Sequence, residues 1–271
     1  MKVKSTDWKQ LFSSAWDQLL EKKQRIGIPL LRSVLPEGFP SGCLVLIQFE
    51  LPKEINKSIV AHLLTTFLKE TTYDIVFVDG GNVFPYEYII EAAKKMRLMP
   101  KMLLNRIILA RAFNYHHVTE IITQLLPQLL ARNQMARVVF VSQMTDMYLT
   151  KETLQYLIWD NRNPLDAIIE LNSTLGVLKS LMLENNLFVV ITVNNYHKNF
   201  DGRTAGKYLL HTAGIIIKIS LDGASQASHE LVLTLREHPC KRKTSSKILL
   251  SEVLLRKKKD HQLTPLSRFL R

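Results

Sequence analysis

The sequence predicts an α/β layered fold in which helices cover a mainly parallel sheet, and three observations carry that expectation. Continuous apolar runs of strand length recur at Cys43–Ile47, Ile75–Val78, Arg106–Leu109, Val138–Val141 and Leu187–Val193, as expected of strands covered on both faces. Helical spacing fills the intervals over 56–69, 86–97, 116–132 and 164–185. Strands alternating with helices need crossovers, and crossovers make neighbouring strands parallel. The last third differs: Ile215–Ser220, Glu230–Leu235 and Lys247–Leu250 are joined by Gly/Ser or basic turns, the pattern of β-hairpins at the C-terminal edge of the sheet.

Ahead of the first strand, Trp8, Leu11, Phe12, Ala15, Trp16, Leu19 and Leu20 form the stripe of an amphipathic helix. Three segments follow: residues 1–25 carry that helix, 26–238 the core, and 239–271 a basic C-terminal segment. With 271 residues, 46% of them hydrophobic and 22% charged, the chain has the make-up of a globular protein with one sizeable core. No apolar run reaches the roughly 20 residues of a membrane span, and Met1-Lys2-Val3-Lys4 opens no secretory signal. Two distant cysteines suit a reducing compartment. The expected location is cytoplasmic, and nucleoid-associated in a prokaryote, with no membrane partner.

The net charge of +12 is concentrated late, since residues 239–271 hold ten basic residues against two acidic ones. A basic surface attracts polyanions through counterion release, whereas a charged tail can also serve only solubility. Lys241, Arg242, Lys243, Arg256, Lys257, Lys258 and Lys259 are the DNA-contact candidates of this segment.

Three blocks resemble one family. Gly27–Gly42, Val78–Glu87 and Asn105–His117 are similar, in order, to segments of the RecA/RadA-type recombinases, the last two to the archaeal and eukaryotic branch. The resemblance runs from about residue 12 to 240 and is weak between 143 and 187. It implies a RecA-like P-loop NTPase core, a role in DNA recombination and repair, and a partner that is a recombinase or paralogue subunit.

Against that pattern the catalytic groups are replaced. A working phosphate loop uses glycines so that bare N–H groups wrap the phosphates, then Lys and Ser/Thr for charge and magnesium. Here Phe49–Ser58 contains no glycine; Asn56 takes the last one's place before Lys57 and Ser58. The family's Asp-x-Glu, whose Glu orients the attacking water, is matched by Asp79-Gly80-Gly81, and Gly81 cannot act as a base. Ser142 replaces the magnesium-binding Asp after the Val138–Val141 strand. The expectation is therefore no catalytic residue, no metal site and no cofactor, hence an inactive ATPase homologue. Lys57 then reads as a solvated helix residue. A divergent ATPase, with ATP and magnesium held by Lys57 and Ser58 and a partner's residues, is the alternative, and a pure protein-interaction scaffold is a third.

Two binding elements remain. After Asn194-Asn195, the stretch 196–207 takes the place of the family's second DNA-binding loop. Lys198, Arg203 and Lys207 would neutralise phosphates while Tyr196 or Phe200 stacks on a base of single-stranded DNA; a solvated turn has the same composition. Phe12-Ser13-Ser14-Ala15 resembles the Phe-x-x-Ala element with which recombinase protomers dock on a neighbour. Phe12 and Ala15 share one helix face, which fits a neighbour's pocket or the chain's own core.

Overall fold

The computed structural model describes residues 24–149, 163–194, 205–222, 230–239 and 241–250. Their framework is an eight-stranded sheet. After a two-stranded ribbon of β1 (Arg25–Ile26) and β2 (Phe39–Pro40) come β3 (Cys43–Glu50), β4 (Asp74–Asp79), β5 (Ile107–Arg111), β6 (Ala136–Ser142) and β7 (Phe188–Asn194). β8 (Ile215–Leu221), β9 (Glu230–Glu237) and β10 (Thr244–Leu249) complete it. The order is β10-β9-β8-β3-β7-β6-β4-β5. The six strands from β8 to β5 are parallel; β9 and β10 join antiparallel, as the hairpin pattern predicts.

The apolar runs are continuous because both faces of the sheet are covered. On one face Val45, Ile47 and Phe49 pack with Phe77 and Phe140 against helices α1 (Lys53–Glu70) and α2 (Tyr86–Lys95). On the other, Leu44, Leu46, Val139 and Val189 meet residues 115–148, α7 (Pro164–Glu184) and α8 (Ala205–Thr212). Phe77 and Phe140 are register partners whose rings stack at 5.2 Å. Three of the four expected helices keep their place, with ends moved by one to three residues. The fourth, expected over 116–132, is composite: α4 (Tyr115–Glu120), a π segment Ile121–Leu125, and α5 (Leu126–Arg132). Pro127 explains the interruption, since it has no N–H to continue the α ladder, and Leu126 N–H donates instead to Ile121 O. The ribbon, α3 (Pro100–Leu104) and α6 (Met144–Leu149) are additions that the sequence pattern does not show.

Two tight contacts fix the ends of elements. Gly38 has φ of +80°, and a Cβ there would lie 2.4 Å from Ile26 O, so the turn closing the ribbon requires glycine. Arg106 caps the end of α1: its guanidinium donates to Leu68 O at 2.7 Å, Thr71 O at 2.8 Å and Tyr73 O at 2.5 Å. Losing these three charge-assisted bonds leaves orphan carbonyls. Arg106→Ala should therefore lower the unfolding free energy by about 2 kcal/mol, and the exposed Arg111→Ala by less than about 0.5 kcal/mol, in urea titrations followed by circular dichroism.

Candidate functional site

The carboxyl ends of the parallel strands meet at a topological switch. β3 lies between β7 and β8 while its connection, α1, leads away to β4; ligands of such sheets bind in the crevice this creates. Phe49, Asn56, Lys57, Val83, Ser142, Gln143, Thr192 and Asn194 line it.

Only Leu51 and Pro52 separate β3 from α1. The helix starts at Lys53, three residues before the expected 56, so the stretch that the motif comparison treats as a phosphate loop forms its first turn. The cause is local. Lys53-Glu54-Ile55-Asn56 has no glycine and consists of residues that tolerate helix, and Pro52 fixes φ at −57° just ahead of it. Ile55 and Asn56 N–H donate to Pro52 O at 3.0 and 3.1 Å. Lys57 and Ser58 consequently lie in the second turn, and Ser58 is fully buried.

Side chains complete the closure. Asn56 is buried, and its Nδ2 donates to Asn194 Oδ1 at 2.7 Å, tying α1 to the end of β7. Lys57 Nζ lies 3.2 Å from Glu54 Oε1, and Tyr88 OH of α2 donates to Glu54 Oε2 at 2.5 Å. The Tyr88 hydrogen bond, supported by Lys57, holds the Glu54 carboxyl below its ordinary range; burial and the adjoining carboxylate push the Tyr88 phenol up. Lys57 thus sits on the helix surface in an i,i+3 ion pair with Glu54.

Asp79 and Ser142 are brought together in a structural role. Both are buried. Asp79 Oδ1 accepts from Val83 N–H at 2.9 Å and Gly81 N–H at 3.4 Å, and Oδ2 from Phe84 N–H at 3.0 Å. Ser142 Oγ donates to Asp79 Oδ1 at 3.2 Å. Gly81 faces Gln143: a Cβ at Gly81 would stand 1.9 Å from Gln143 Oε1. Between these side chains a space of about 20 Å³ remains, room for about one water. A triphosphate with magnesium does not fit these residues: the Ile55 and Asn56 amides of the first turn are bonded to Pro52 O, Ser58 is enclosed, and no carboxylate stands at 81 or 142. Among the described residues no group of three His, Cys, Asp or Glu is placed to hold a metal, and no helix is long and apolar enough to cross a membrane.

The predicted DNA contacts separate in space. Tyr196, Lys198, Phe200 and Arg203 lie outside the described residues, as do Arg256–Lys259, Phe12 and Ala15; Lys207 falls in α8. Their loop leaves β7 at the carboxyl rim. Lys241, Arg242 and Lys243 lie between β9 and β10, at the amino rim, and the eight residues of β3 between the rims span about 26 Å. Lys241 is also engaged, 3.1 Å from Glu37.

Sequence reading missed the parts played by Tyr88, Gln143, Thr192 and Asn194. Only the Glu54–Lys57 pair, spaced i,i+3, carries a local signal.

The sequence model described as Rad51 matches residues 34–212, about two thirds of the chain. No curated protein matches it.

Two stability measurements check this site. Asp79→Ala should cost about 3 kcal/mol, because buried N–H groups lose their acceptor. Glu54 has a lowered folded pKa, so the stability it contributes is complete above its unfolded value and fades as pH falls through the folded one. The difference in urea midpoint between the wild type and Glu54→Gln should be constant between about pH 6 and 8 and shrink below about pH 4.5.

Proposed function

Since the chain belongs to the Rad51 family, a family of recombination and repair, we propose that it is a non-hydrolysing paralogue that joins or caps filaments of an active recombinase and contacts DNA. The observation that carries the reading is the wound first turn of α1. A phosphate loop works by offering free amides to oxygen atoms, and here two of those amides bond to Pro52 O while Glu54 holds Lys57. Catalysis of phosphoryl transfer is mostly positioning and charge stabilisation. Without a cradle, a base at 81 or a carboxylate at 142, neither is supplied.

The partner reading draws on the opposite edge of the sheet. Among the described strands β5 pairs on one side only, and Leu109 within it and Phe113 just after it are exposed; an open strand edge with apolar neighbours suits an added strand from another subunit. The amphipathic stripe that the sequence pattern gives for residues 8–20, with Phe12 and Ala15, is the chain's own candidate for such docking. Tyr196, Lys198, Phe200, Arg203 and Lys207 are the proposed contacts to single-stranded DNA.

Phosphate release from ATP by this chain, with and without single-stranded DNA, should stay at the buffer rate; turnover that disappears in Lys57→Ala would refute the non-hydrolysing reading. Phe12→Glu should abolish co-purification with the recombinase while leaving DNA affinity unchanged. Lys198→Gln with Arg203→Gln should weaken single-stranded DNA binding and lower its salt slope by about 1.4.

A further inference from the structure

The cations of the carboxyl rim are largely taken by neighbours. Lys57 is held by Glu54, Lys218 by Glu50 at 2.7 Å, and Lys247 by Asp222 and Glu230. The amino rim differs. There the loop between β1 and β2 and the connection between β9 and β10 are clipped together by one carboxylate, Glu37, which meets Arg25 at 2.5 Å and Lys241 at 3.1 Å. Arg32, Arg242 and Lys243 are exposed on the same two segments, and no ion pair with a described residue is formed by any of them. Five cationic side chains thus stand on these segments, where Glu37 is already paired twice and Glu237, at the end of β9, is the further acid.

From this we infer that the amino rim is a phosphate-binding surface for duplex DNA, separate from the contacts proposed at the carboxyl rim. The clip fixes the two segments that carry these cations before any ligand arrives, so little backbone order has to be imposed on binding. An array of exposed Arg and Lys on a rigid edge neutralises backbone phosphates without reading sequence. His238 belongs to the same cluster; burial and the positive charge of Lys241 hold its imidazole below the ordinary range, as expected where cations outnumber acids. The duplex surface stands independently of the single-strand loop.

The test is fluorescence anisotropy of a labelled duplex with the full chain across a sodium chloride series. Arg242→Gln with Lys243→Gln, folded as judged by near-ultraviolet circular dichroism, should bind at least about tenfold more weakly at about 50 mM salt, with a log–log salt slope smaller by about 1.8. Unchanged affinity and slope would overturn the proposal. So would a chain that binds no duplex, or a double variant that loses binding to anionic phospholipid vesicles or polyglutamate while keeping duplex affinity. Lys198→Gln with Arg203→Gln provides the separation: if it leaves single-stranded binding untouched, the loop contact fails and the duplex surface stands.

Discussion

The hydrogen bonds from Ile55 and Asn56 N–H to Pro52 O determine the chemistry of the crevice. An amide bonded within a helix cannot also face a phosphate, and the three helical residues added ahead of Asn56 place Lys57 and Ser58 in the second turn. Burial of Ser58, the Asn56 tie to Asn194 and the capture of Lys57 by Glu54 all follow from that placement. The same crevice is closed from the other side by Gln143 against Gly81. The groups around the crevice meet one another: Asn56 with Asn194, Lys57 with Glu54, and Asp79 with Ser142.

Asp79 illustrates the exchange. A carboxylate enclosed at the end of a central strand is costly unless its lone pairs are satisfied, and here backbone N–H groups and the Ser142 hydroxyl satisfy it. Ser142 suits this arrangement because a hydroxyl donates to a carboxylate, whereas a second carboxylate at 142 would repel it. The hydroxyl at 142 thus supports the carboxylate that caps the turn at residues 80–84.

The fold was legible because the strands are buried on both faces, which writes them as uninterrupted apolar runs, and because the helices between them have regular periodicity. Element ends were less so: nothing in the pattern marks a two-residue ribbon, and Pro127 converts an expected helix into three pieces by removing one donor. At the site, the losses at Asn56, Gly81 and Ser142 are visible from residue identity. What replaces them is not, because Tyr88, Gln143 and Asn194 reach the crevice from distant elements, and sequence spacing records only neighbours on one element. Motif alignment also hid the winding of 53–56, since it assigns these residues to a loop by position rather than by propensity. Lys241–Lys243 read only as part of a basic C-terminal segment, and their place is set by β9, which runs antiparallel and carries them to the amino rim.

The central claim is that residues 53–56 are helix where a phosphate cradle would have to be loop. Isothermal titration of the full chain with ATP and magnesium addresses it directly: the account predicts no saturable heat, for wild type and Lys57→Ala alike. One-to-one binding that Lys57→Ala removes would contradict it, because such binding requires the first turn to unwind and the Glu54 pair to release its lysine.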